Sequence, residues 1–240
     1  LPAPETDEIS MVSELSISLD HDASRVLLVD DNRTNLMVAS ASDSWSRGES
    51  SDGAGDLDIT DTTGGLTIIG VGSAGTVIDA NGIDRAFQVL ENVTVTLRGL
   101  TVTGGVVTGS SEGGAIFNSG ALLISDVTVS GNQSQASGGG LYNTLGGTLT
   151  VDESDVSGNT ALDGGGIYNN DDGALVIRNS AVHDNVAGDD GGGVYNDLDG
   201  DLNVVNSDLI ANVAVGQGGG IYNNDSASVV VNNSRFSVNS

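Results

Sequence analysis

This chain has no cysteine, two prolines and only 3% aromatic residues, and it contains no lysine at all. Without cysteine no disulfide framework can staple the fold, so packing and hydrogen bonding must hold it. The shortage of aromatics excludes a rounded aromatic core and leaves a slim core of stacked aliphatics. All seven cationic residues are Arg, set against 33 acidic ones, for a net charge of −26. Such a surface repels nucleic acid and anionic lipid headgroups, and attracts Ca²⁺, Mg²⁺ or a basic partner. No stretch approaches the ~20 apolar residues of a membrane helix. No signal peptide is visible and the chain starts at Leu1, which reads as a processed or excised segment.

Glycine is what the chain has in quantity, 36 residues of it, and much of it is periodic. The hexapeptide reads GGAIFN at Gly113–Asn118, GGGLYN at Gly138–Asn143 and GGGIYN at Gly164–Asn169. It continues as GGGVYN at Gly191–Asn196 and GGGIYN at Gly218–Asn223. The closing asparagines lie 25, 26, 27 and 27 residues apart. A period of that length means one structural unit, stacked. A second landmark falls into the same register: Val129–Asn132, Val156–Asn159, Val182–Asn185, Leu209–Asn212 and Phe236–Asn239.

Between the landmarks lie alternating runs at Ala121–Ile124, Thr148–Val151, Ala174–Ile177, Asp201–Val204 and Ser228–Val231. Each unit therefore holds about three short extended runs separated by Gly, Asn, Asp and Ser corners. Recurrent triple glycine and dense β-branching oppose helix. Parallel stacking of such units predicts a β-helix with coils about 4.8 Å apart. Strand alternation assigns the faces. Ile116, Leu141, Ile167, Val194 and Ile221 point inward, with Asn118, Asn143, Asn169, Asn196 and Asn223 inside at a corner. Stacked amides can donate and accept along the axis, which offsets their burial. Asn132, Asn159, Asn185, Asn212 and Asn239 form a second expected ladder, accompanied by Ser154, Ser180, Ser207 and Ser234. The glycines supply a bend that needs positive φ or close backbone approach.

These repeats resemble a known class. GGA followed by an aliphatic, with FxxN, resembles the repeat of polymorphic outer-membrane autotransporter adhesins. GGGIYN with its downstream Asn-Ser and Gly-Asn landmarks is similar to the right-handed parallel β-helix repeats of large secreted surface proteins. Upstream, Leu66–Asp79, Arg85–Phe87 and Val95–Gly105 are similar to the opening coils of that class. The resemblance covers residues 64–240 and implies a scaffold more than an activity. Most hexapeptides here carry GGG where the adhesin repeat carries GGA.

Residues 1–63 lack the repeat. Met11–Asp20 alternates as an amphipathic strand would, while Arg25–Asp31 and Asn35–Ser40 suit two further strands. Ser42–Asp56 is a polar loop, with Trp45 as a cap anchor. A β-helix must protect its first coil, whose edge groups are otherwise unpaired. The segment therefore reads as an N-terminal cap, or as an exchange segment that inserts into a neighbouring subunit. Val26–Asn32 is similar to the start of a response-regulator receiver domain, but that domain needs a lysine and the chain has none.

Three candidate sites follow. The turns after the hexapeptides stack Asp171, Asp172, Asp197, Asp199, Asp201 and Asp225, hard oxygen donors of the kind a structural Ca²⁺ takes six to eight of; solvated corners are the alternative. The tyrosines Tyr142, Tyr168, Tyr195 and Tyr222, aligned with Phe117, form an outward column that either stacks coil on coil or contacts a partner. The asparagine ladder is structural. No catalytic residue emerges: His183 sits at a variable repeat position and His21 has no visible partner. Glycosylation sequons occur at Asn32, Asn92, Asn132, Asn224 and Asn232.

The sequence thus predicts an all-β, right-handed, single-stranded parallel β-helix of about six to seven coils of 25–27 residues, with an N-terminal β cap over 1–63 and the solenoid over 64–240. The expected role is an extracellular or cell-surface structural protein without catalysis, either an adhesin stalk or a self-assembling filament subunit stacked end to end. The alternative is a β-helix that binds or cleaves carbohydrate, with a surface polysaccharide as its partner.

Overall fold

The computed structural model describes residues 56–59 and 65–240, together with the backbone of two strands, Val26–Val29 and Leu36–Ala39. Every regular element among the described residues is a strand. One parallel sheet counts the coils: Leu57–Ile59, Phe87–Val89, Ile116–Asn118, Leu141–Asn143, Ile167–Asn169, Val194–Asn196 and Ile221–Asn223 lie side by side. That is a solenoid of about seven turns. Its first strand, Leu57–Ile59, already pairs in register with Phe87–Val89, so the solenoid sheet starts ahead of residue 64.

A second sheet stacks five two-residue strands, from Val106–Val107 to Val213–Ala214. The third and largest turns a corner. In Thr94–Thr103 and Ala121–Ser130 a single strand crosses that bend; later coils split it, as in Thr148–Asp152 and Asp155–Ser157. At its N-terminal edge, Val26–Val29 pairs parallel to Leu66–Ile69 and antiparallel to Leu36–Ala39. The alternating run at Met11–Asp20, the polar loop, Trp45 and His21 lie outside the described residues.

Inward positions alternate along every strand, and their columns merge into one core. Ile116, Leu141, Ile167 and Val194 are fully covered, as are Ile124, Val151, Ile177 and Val204. Each such side chain contributes about 1.5–3 kcal/mol by leaving water. Asparagines complete the interior. In the first ladder, Asn118, Asn143, Asn169 and Asn196 each donate from Nδ2 to the Oδ1 of the asparagine one coil on, at 2.6, 2.7, 2.7 and 2.8 Å. In the second, the Oδ1 of Asn159 accepts from both the backbone N and the Nδ2 of Asn132 at 3.0 Å. Its own Nδ2 donates back to the Val129 carbonyl and on to Asn185. Asn185 and Asn212 repeat the pattern. Buried amides with every capacity used cost little.

The triple glycine has two separate causes. Its first member sits at positive φ, +67° at Gly138 and +62° at Gly164, where a side chain strains the backbone. Its second lies against the next coil: a Cβ on Gly139 would stand 2.4 Å from the Gly165 carbonyl oxygen. The third position is less strict, since Ala115 occupies it in the first hexapeptide with no exposure.

Candidate functional site

A groove runs along the outside of the solenoid where the largest sheet bends. The bend comes from one residue per coil in the left-handed region: Asp126, Glu153, Asn179, Asn206 and Asn233, at φ 56°, 48°, 52°, 49° and 47°. Asn and Asp tolerate that conformation better than other side chains. Each is followed in the chain by an inward residue, and from Ser154 onward that residue is the expected serine. The serines form their own ladder: Ser154, Ser180 and Ser207 each donate their backbone N–H to the Oγ of the next, at 3.0, 3.2 and 3.0 Å. The exposed bend residues and a flanking column in parallel register, Thr128, Asp155, Ala181, Asp208 and Arg235, enclose a volume of ≈ 910 Å³. Sequence reasoning found the serines but missed the bend residues. Their signal was present, as an Asp, Glu or Asn repeated at the coil spacing directly before the inward position.

The groove is polar and mostly acidic. Asp155 accepts from the Ser157 hydroxyl at 2.5 Å and pairs with His183 Nε2 at 2.8 Å. The other imidazole nitrogen meets Asp184 at 2.7 Å. Partial burial opposes a charge on His183, but the hydrogen bonds to Asp184 and Asp155 outweigh it and raise its pKa above the usual value. Arg178 donates to Asp152 at 3.0 Å, and this hydrogen bond holds the Asp152 carboxyl below its usual range. Arg235 forks onto Asp208 at 3.2 and 2.9 Å.

On another sheet the tyrosine column requires a correction. The sequence places it outside, where it either stacks coil on coil or contacts a partner, yet Tyr142, Tyr168 and Tyr195 are only 5%, 8% and 9% exposed, as stacking requires. They form a second apolar cluster with Phe117 and Tyr222 packed against its ends. Neighbouring rings cover one another: successive centroids from Phe117 to Tyr222 lie 5.4, 5.3, 4.6 and 4.9 Å apart. The glycine turn closes over the side, because a Cβ on Gly164 would meet the Tyr168 Cβ at 3.0 Å. The hydroxyls of Tyr142, Tyr168 and Tyr195 reach the next coil. Tyr168 donates to Asp197 at 2.9 Å, and Tyr142 accepts from Asn170 at 3.2 Å. Burial is the leading reason that the phenols of Tyr142 and Tyr195 are pushed up to about 12. The Tyr168 phenol is raised as well, by burial and then by its bond to the Asp197 carboxylate. The rings stay neutral and act as packing.

The acidic turns also differ from a metal centre. Asp171, Asp172, Asp199 and Asp225 stand at positive φ in the turns, a backbone reason for their residue type. Asp197 is occupied by Tyr168 and Asn224, and Asp201 accepts from the Ser228 hydroxyl. Among the described residues no three His, Asp or Glu side chains gather as a metal-holding group. Of the sequons, Asn132 is buried in the second ladder and closed to modification in the folded chain, whereas Asn92 is exposed; Asn32 lies outside the described residues.

Comparison with known proteins bears on one coil. The family model of the Chlamydia polymorphic membrane protein repeat matches residues 126–144. That coil is similar to a polymorphic membrane protein repeat. The matched segment begins at the bend residue Asp126, passes Asn132 and the glycine turn, and includes Asn143 of the first ladder. With the parallel stack, the match supports a β-helix repeat protein of the surface kind. No curated protein and no solved structure matches the chain.

Proposed function

We propose that this chain is the structural β-helix of an extracellular or cell-surface protein, an adhesin stalk or a filament subunit without catalysis. The observation that carries it is the unbroken stack of coils, five of them near-identical and one of which matches a membrane-protein repeat. A stack of this kind is stiff along its axis, because each coil contacts only its neighbours through continuous ladders. Antibody labelling of intact native cells tests the location: surface staining is expected, and staining that appears only after permeabilisation overturns it. Electron microscopy of purified native material separates the two versions, uniform filaments for the subunit and dispersed rods for the stalk.

A second reading, a carbohydrate-binding or carbohydrate-cleaving β-helix, draws support from the groove and its carboxylates. Incubation with a polysaccharide panel tests its catalytic form, for which shortened chains are the expected product.

A further inference from the structure

We propose that the groove at the sheet bend is the recognition surface of this rod, and that its ligand is a linear polysaccharide that is neutral or amino-bearing. The assignment rests on the non-enzymatic surface reading above and adds a binding site to it. Three observations select this ligand.

The first is periodicity. The groove repeats one set of side chains per coil, so its partner is a polymer read at steps of about 4.8 Å. An extended peptide presents same-face side chains every two residues, about 6.6–6.8 Å apart, and drifts out of phase with that rail. A chain of sugar rings offers hydroxyls at close to one ring per coil.

The second is donor chemistry. Asn233 Nδ2 donates to Asn206 Oδ1 at 2.8 Å, and Asn206 Nδ2 approaches Asn179 Oδ1 at 3.5 Å. These exposed amides are held in line by one another, which leaves each with a further N–H and a further lone pair for solvent or ligand. An amide that both donates and accepts suits a hydroxyl, which does the same. The serines under the rail are already committed to their own ladder, so specificity lies with the amides and carboxylates. Ala181, between Asp155 and Asp208 in the flanking column, leaves the middle of the groove open. Its volume of ≈ 910 Å³ falls within the usual range for ligand sites, about 300–1,000 Å³.

The third is charge. Asp126, Glu153, Asp155 and Asp208 line the groove of a chain whose net charge is −26. Nucleic acid and uronate polymers are repelled there. Arg235 is neutralised by Asp208. Tyr142, Tyr168 and Tyr195, the other surface a sugar ring would prefer, are buried in their own stack.

Affinity electrophoresis of the whole chain through gels containing xylan, chitosan or polygalacturonate provides the test. Retardation by xylan or chitosan and none by polygalacturonate is expected. Asn179→Gly/Asn206→Gly keeps residues that accept positive φ and removes the amides; about a tenfold loss of affinity is expected with an unchanged melting profile. Ala181→Arg, which fills the groove from its flank, serves as a second and independent block. The proposal is overturned if neither xylan nor chitosan retards the protein, if polygalacturonate alone does, or if both variants bind as the parent does. Absence of binding with surface labelling intact defeats the groove and leaves the structural reading standing. Binding with depolymerisation keeps the groove and defeats the non-enzymatic reading.

Discussion

The two earliest coils and the five later ones follow the same path with different polar hardware. At the station of the first asparagine ladder the early coils carry Ile59 and Val89, in register with Asn118. At the tyrosine station they carry Asp58 and Gln88, in register with Phe117. Instead of a glycine, Arg85 occupies the turn. Its guanidinium reaches Asp56 at 3.2 Å and Gln88 at 2.7 Å, and sits 5.7 Å from the Phe117 ring centre. The aliphatic columns nevertheless run without a break from Ile59 and Leu66 to Leu209. Stacked aliphatics therefore suffice for the parallel register, and the amide and tyrosine ladders are additions that make the later coils uniform. The buried Arg85–Asp56 pair plugs the end of the aromatic stack where the ladder chemistry has not yet begun.

Unfolding free energies of five variants would break or sharpen that contrast. The largest loss is expected for Arg85→Ala, which takes the ion pair from a carboxylate of no side-chain exposure; about 3–5 kcal/mol is the usual cost of halving such a pair. An unchanged midpoint in denaturant would show that the plug is ornamental. Next, Ile68→Ala in an early coil and Ile167→Ala in a later one should each cost about 2–5 kcal/mol. Equal losses support a shared core, whereas a much smaller loss at Ile68 would make the early coils a separate, weaker unit. Asn169→Val installs the early-coil solution in mid-ladder and strands amide groups of Asn143 and Asn196, at about 1–3 kcal/mol. Asn118→Val strands Asn143 alone among the ladder amides, together with the Gly120 N–H that its Oδ1 accepts, so a loss of the same order is expected; a negligible loss at either site would refute the ladder account.

The smallest effect is a pH dependence confined to the later coils. His183 has a raised pKa through its two carboxylate partners. A raised folded value favours the protonated native state. Its stabilisation is fully present below the unfolded value of about 6.5 and is lost as pH rises through the folded one. Melting temperature should fall slightly between about pH 5 and pH 8, and His183→Gln should remove that part of the fall. An identical pH profile in the variant would show that the clamp carries no charge-linked energy.

Much of this was legible in the chain itself. Period, strand alternation and the positions of both asparagine columns follow from the side-chain chemistry a stacked interior permits, since a buried amide is tolerable only when its neighbours repeat it. Arg85 was unreadable as a buried plug, because its partner Asp56 lies 29 residues away in a coil without the hexapeptide. The bend column repeats at the coil spacing, but that repeat carries no mark of a crease. Nothing local distinguishes Asn179 from any polar turn residue until five of its kind stack along one crease.

Strand periodicity divides inside from outside along a single coil, so the sequence by itself determined the solenoid, its register and its interior. Only the tertiary structure decided what becomes of the outward residues. A turn can fold back over one outward column and a bend can draw two others together. That is why the tyrosines are buried beside their glycines while the asparagines of the bend line an open groove. Exposure belongs to how the coils lie against one another, and the alternation of a strand carries no record of it.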